Sequence, residues 1–171
     1  METANYVFFL GHKSNRIGVE MFSQWYPCTF EESYIDGTVI TYTSAEQYMM
    51  ANKALLFGDS DLFAEIMKTN DPAEIKKFGR RIKNFNQNEW DAHKFDIVTN
   101  GNRLKFGQNP AFMKRLIATG NKTIVEAADY DPVWGIGLKA EDAVNIPEKD
   151  WRGQNLLGKA LMMVRDDLLV S

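Results

Sequence analysis

The sequence predicts an α+β fold, compact and mainly helical, with a small β-hairpin or sheet near the N-terminus. Three observations carry this expectation. Short apolar and β-branched runs fall mostly in the first third, helix start signals recur from Ser44 onward, and 171 residues suit one core. A single domain over 1–171 is expected, because no linker, repeat or low-complexity tract interrupts the chain.

The first strand is expected at 6–10. A hairpin is expected next, with strands around Tyr34-Ile35 and 39–42 and Asp36-Gly37 as its tight turn. Ser44 reads as an N-cap, with Gln47 as its capping-box partner, for a helix reaching about Phe57. Ser60 opens a second helix with Leu62, Phe63, Ile66 and Met67 on one stripe. Asp71-Pro72 with Glu74 opens a third, through about Lys83. A longer pattern then carries Trp90, Ile97, Gly101 and Leu104, and Asn109-Pro110 begins a short helix that Gly120 ends. A strand is expected at 123–127 and an irregular segment at 129–138. Leu156, Leu157, Ala160, Leu161, Val164 and Leu168 mark a C-terminal amphipathic helix.

Composition excludes several classes. With 44% hydrophobic and 25% charged residues the chain is not disordered, collagenous or a coiled coil. A net charge of -3 excludes holding DNA by bulk positive charge, so any nucleic-acid contact must be local. Cys28 is alone, and with His12 and His93 it cannot build a structural zinc site; no metal or cofactor is expected. The apolar run at 6–10 is too short for a signal peptide, and nothing approaches a membrane span. The expected setting is intracellular: cytoplasmic, or nuclear in a eukaryote, without a membrane or an evident stable protein partner.

Two ionisable residues stand where apolar ones belong. At about 100° per residue, Met49, Lys53, Glu46, Phe57 and Met50 fall between about 40° and 140° from Ala45, so Glu46 and Lys53 lie inside a Met and Phe stripe. They are two turns apart, too far to pair as close helix neighbours do. Two readings follow from periodicity: the pair converges on a ligand, or Lys53 snorkels to solvent while Glu46 favours its helix dipole. The segment from Glu126 to Gly137 holds Glu126, Asp129, Asp131, Trp134, Gly135 and Gly137. It reads either as a ligand loop, with acids for hydroxyls or water and an aromatic plate, or as a polar turn with one core Trp. Lys76, Lys77, Arg80, Arg81 and Lys83 form an acid-free basic run whose usual meaning is a solvated face; Arg80 suits a forked phosphate contact.

Taken in order, the motifs resemble the YbiA-like or NADAR (NAD and ADP-ribose related) family. The resemblance runs through Phe22-Ser23-Gln24-Trp25-Tyr26-Pro27, Thr43-Ser44-Ala45-Glu46-Gln47-Tyr48 with Lys53, Gly79-Arg80, Trp90, Lys105-Phe106, Ala118-Thr119-Gly120, Glu126-Ala127, Asp131 with Trp134-Gly135-Ile136-Gly137, and Trp151, Gly153, Asn155-Leu156-Leu157-Gly158 with Val164-Arg165. It implies a mostly helical fold and an N-glycosidase that cuts between a ribosyl anomeric carbon and an exocyclic amine. The implied substrate is ADP-ribosylated guanine in nucleic acid or nucleotide, or a small phosphoribosylamine of riboflavin synthesis. Glu46, Lys53, Trp90 and Trp134 match the family's site, which favours the ligand reading of the stripe. Gln24, Trp25 and Gln47 stand where the family often has Asn, Phe and His, and residues 11–20 form an insertion suited to a lid or partner loop.

Ribosyl-amine cleavage passes through an oxocarbenium-like state, so Glu46 and Asp131 are the candidates for charge stabilisation and proton donation. Lys53 is the candidate nucleophile toward an opened ribosylamine, through a Schiff base. Trp90 and Trp134 are expected to sandwich the base or adenine, Arg80 with the Gly135 and Gly137 amides to hold phosphate, and Asn155 to fix a ribose hydroxyl. Phe22, Ser23 and Glu126 complete the expected substrate-contacting set.

Overall fold

The computed structural model describes residues 1–13 and 18–170, and it is α+β as expected. The chain divides into two compact units, one of Met1–Ser23 with Pro110–Ser171 and the other of Gln24–Asn109.

The central unit begins with an antiparallel hairpin, β2 (Phe30–Ser33) and β3 (Val39–Tyr42), in which Phe30 pairs with Tyr42 and Ser33 with Val39. The first strand therefore lies earlier than Tyr34-Ile35. Burial decides this: Phe30 and Tyr42 are buried with rings stacked 5.6 Å apart, whereas Ile35 is exposed in the turn that the Tyr34 amide closes on the Thr38 carbonyl. Four helices follow: α1 (Ala45–Leu56), α2 (Ser60–Met67), α3 (Pro72–Gly79) and α4 (Gln87–Gln108), with α1 packed against the other three. Ser44 Oγ accepts the Gln47 amide at 3.0 Å, the expected cap. The Gln47 side chain departs from the expected capping box, taking the amide one residue before the cap instead of the Ser44 amide. Its Oε1 accepts the Thr43 amide at 2.8 Å, and its Nε2 donates to the Ile66 and Thr69 carbonyls, tying α1 to the end of α2.

The second helix opens at Ser60 as expected, with Asp59 as its cap, its Oδ1 accepting the Leu62 amide. One helix limit differs from expectation. The third stops at Gly79, short of Lys83. Gly79 lies so close to α1 that a Cβ there would overlap Met50 Sδ, and Asp59 Oδ2 takes the Lys83 amide at 2.9 Å, drawing the chain out of helical register.

In the other unit, β1 (Tyr6–Phe9) pairs in parallel with β4 (Thr123–Glu126), Tyr6 opposite Thr123 and Phe9 opposite Glu126. Both strands fall within the expected limits. Phe8, Val125, Ala127, Ile136 and Leu138 form a buried core against which Tyr6, Ile146 and Trp151 pack, each large buried side chain contributing about 1.5–3 kcal/mol. α5 (Pro110–Ile117) and α7 (Leu156–Leu169) pack together, and α7 crosses β4 closely enough that a Cβ on Gly158 would overlap the Ile124 carbonyl. The loop after β4 has no helix or strand through 138, as expected. It then forms α6 (Ala140–Ala143), which the apolar pattern was too short to reveal. Of the expected lid, residues 14–17 lie outside the described residues. At its far end the Gly18 carbonyl accepts Arg115 Nε at 2.6 Å, and Glu20 Oε2 accepts the Gly18 and Val19 amides. No described helix is long and apolar enough to cross a membrane.

Candidate active site

The central unit gathers four of the expected residues. Glu46 in the first turn of α1 is 4% exposed, far too little for a side chain that merely decorates a dipole. Lys53, two turns on, is half-buried and places Nζ 4.5 Å from the Phe85 ring centroid and 5.1 Å from that of Trp90, while donating to the Gly79 carbonyl at 3.2 Å. The snorkelling alternative therefore fails, because the ammonium turns inward between two aromatic faces. Burial lowers the Lys53 pKa from its ordinary value, and the opposing influence is the Glu46 charge, which favours the ammonium. So the two residues of the stripe do act on one another, through the field rather than as a helix-neighbour pair.

Each wall of this cage has a local cause. Asn86 caps α4, its Oδ1 accepting the Glu89 amide at 3.0 Å, which sets Trp90 in the fourth helical position and Phe85 just before the cap. That is the spacing of a hydrophobic staple. Phe85 also meets Phe57 edge to face at 5.2 Å, so the end of α1 supports it. The Gly79 carbonyl reaches Lys53 because only glycine permits α3 to sit so close to Met50. Arg80 follows directly as the exposed C-cap of α3.

The other unit holds the remaining expected residues in and around the loop after β4. Asp131 Oδ1 accepts the Val133 and Trp134 amides, each at 2.9 Å, so this carboxylate shapes the turn that presents half-buried Trp134. Glu126 and Gly135 belong to the same frame: the Glu126 carbonyl accepts the Ile136 amide, and the Gly135 carbonyl accepts the Asn155 amide.

Three expectations change in this geometry. The Gly137 amide donates to the Ala128 carbonyl at 3.0 Å and is engaged in the loop, not presented to phosphate. Asn155, left-handed at φ 52, accepts the Glu126 amide through Oδ1 and donates through Nδ2 to the Ile124 carbonyl. Its carboxamide thus braces β4 where a ribose contact was expected. Phe22 is fully buried, with Phe9 against it at 5.8 Å, and Ser23 closes the 3₁₀ turn of Glu20–Phe22; both build the fold here. An apolar contact claims the Phe22 side chain and unpaired backbone groups claim that of Asn155, while Gly137 and Ser23 are engaged through their backbone amides.

Phe85 was not anticipated. Its signal was present: an aromatic flanked by Asn84 and Asn86, five residues before Trp90, in an otherwise polar connection. Lys105, noted only as part of a motif, is fully buried on α4, and burial lowers its pKa to about 8, with the Cys28 sulfur nearby opposing the shift. Among the described residues no group of three His, Cys, Asp or Glu is placed to hold a metal.

A model of the NADAR domain matches residues 8–169, across both units. The chain belongs to the NADAR family. This NADAR chain is 60% identical to N-glycosidase R617 of Acanthamoeba polyphaga mimivirus, over 98% of each chain, and it is an N-glycosidase, a hydrolase. It is 28% identical to the chloroplastic riboflavin biosynthesis protein PYRR of Zea mays over 86% of its own length, spanning 23% of that larger protein. The NMR structure of the Escherichia coli protein YbiA shares the NADAR fold, with a TM-score of 0.75 and 24% identity over 99% of this chain and 88% of that one.

Proposed function

We propose that this N-glycosidase removes ADP-ribose from the exocyclic amine of guanine, with Lys53 as nucleophile and Glu46 as its proton partner. The single observation that carries the reading is the inward Lys53 ammonium, caged by Phe85 and Trp90 in the field of buried Glu46. A lysine with a lowered pKa supplies neutral amine closer to neutral pH than an exposed one does. When the ribosylamine opens, C1 is an imine carbon. The Lys53 amine adds there, the guanine amine leaves with a proton supplied by Glu46, and a lysine-bound iminium remains. Water then adds to C1, Lys53 departs, and ADP-ribose is released while Glu46 recovers its proton. Phe85, 42% exposed, offers a face on which a purine can stack.

The second reading is the same bond in a phosphoribosylamine, favoured by the riboflavin-biosynthesis name of the maize relative. Incubation with a guanine-ADP-ribosylated oligonucleotide, followed by mass spectrometry, decides between them. The expected result is released ADP-ribose with wild-type protein and none with Glu46→Ala. No release by folded wild-type protein would overturn the guanine reading and direct the assay to the phosphoribosylamine.

A further inference from the structure

The cations at the end of α3 form an exposed strip with almost no acidic partner among the described residues. Lys76 and Lys77 occupy its last turn, and Arg80, Arg81 and Lys83 follow, all exposed. Among the described residues one carboxylate comes within 4.0 Å of these five: Asp61, at 3.9 Å from Lys83, with both side chains largely in water. A typical surface run is laced with acids, yet here the positive charge is left nearly uncompensated in a chain of net charge -3. Aromatic rings are interleaved with it. Lys76 Nζ lies 5.7 Å from the Trp25 ring centroid, Arg81 lies over Phe78 at 5.6 Å, and exposed Phe85 stands two residues beyond Lys83.

Lys53 donates to the Gly79 carbonyl, and the cations continue from the next residue, Arg80. A chain of phosphates lying along the strip would bring an attached base directly to the caged lysine.

We infer that this surface holds the phosphate backbone of a single-stranded polynucleotide. Single strands are favoured because a base that must reach Lys53 has to leave its stack, and the interleaved rings provide alternative stacking partners. The identity of the base at Lys53 rests on the guanine reading above; the binding surface does not.

The test is fluorescence anisotropy with an unmodified, labelled single-stranded oligodeoxynucleotide of about 12 nucleotides, titrated at roughly 50 to 200 mM salt. Wild-type protein should bind, with affinity falling steeply as salt rises. Lys77→Ala/Arg81→Ala/Lys83→Ala should weaken binding at least about tenfold at low salt and reduce the salt slope by about 2, since each neutralised phosphate of a single strand contributes about 0.7. In parallel, the triple variant should release ADP-ribose from a modified guanine mononucleotide as wild type does, and more slowly from the modified oligonucleotide. Equal binding by wild type and variant, no binding by wild type, or tighter binding of the matching duplex would each overturn the inference. If neither protein cleaves any substrate, the guanine reading fails, while the anisotropy comparison still decides the surface.

Discussion

Phe85 and Trp90, five residues apart across the N-cap of α4, hold the Lys53 ammonium between their rings. The start of one helix thus sets the surroundings of a lysine on another, and the lysine's acidity follows from how completely these rings exclude water.

Phe85→Ala should therefore hydrate Lys53 and return its pKa toward 10.5. If neutral Lys53 is the nucleophile, the rising limb of the pH profile of kcat moves to higher pH, and kcat at pH 7 falls. Phe85→Leu, which retains bulk, should stay near wild type. Coincident pH profiles for wild type and Phe85→Ala would show that the ring does not tune the lysine.

Gly79→Ala places a methyl group into Met50, and overpacking of this kind costs about 1–3 kcal/mol. It should also push away the carbonyl that receives Lys53, so kcat should fall along with the urea midpoint. Trimming the obstruction with Met50→Val in the same chain should recover much of the stability, whereas Met50→Val alone should not improve on wild type.

Asn155→Ala removes two bonds to the β4 backbone and leaves a left-handed conformation to a residue that resists it, at a cost of about 2–4 kcal/mol. Thermal unfolding should show the loss. Asn155→Gly tolerates the backbone angle and should recover only part of it. A loss of activity at unchanged stability would instead mark Asn155 as a ligand contact.

Lys105 gives stability a pH signature. Its pKa is lowered on folding, from 10.5 to about 8, so the unfolded chain binds more protons between those values and wild-type stability should rise with pH across that window. In Lys105→Met that contribution is absent. Urea unfolding at pH 7 and 9 should show wild type gaining about 1 kcal/mol relative to the variant, with Cys28 present in both chains. An unchanged difference would mean that Lys105 keeps its ordinary acidity.

The sequence by itself determined the α+β class and most helix starts, because the Ser44 and Asp71 caps act over two or three residues and need no distant partner. It also singled out Glu46 and Lys53, since charged residues inside an apolar stripe violate a local rule. Only the tertiary structure decided what Lys53 faces. Phe85, Trp90 and the Gly79 carbonyl arrive from two other elements, and which elements pack against α1 depends on close approaches such as Gly79 on Met50 that no local pattern encodes. The same reason explains the misplaced hairpin strand and the role of Asn155. Burial of Phe30 against Tyr42 outweighed the β propensity of Tyr34-Ile35, and backbone groups of β4, about 30 residues distant, claimed a carboxamide that the motif alone assigned to a ligand.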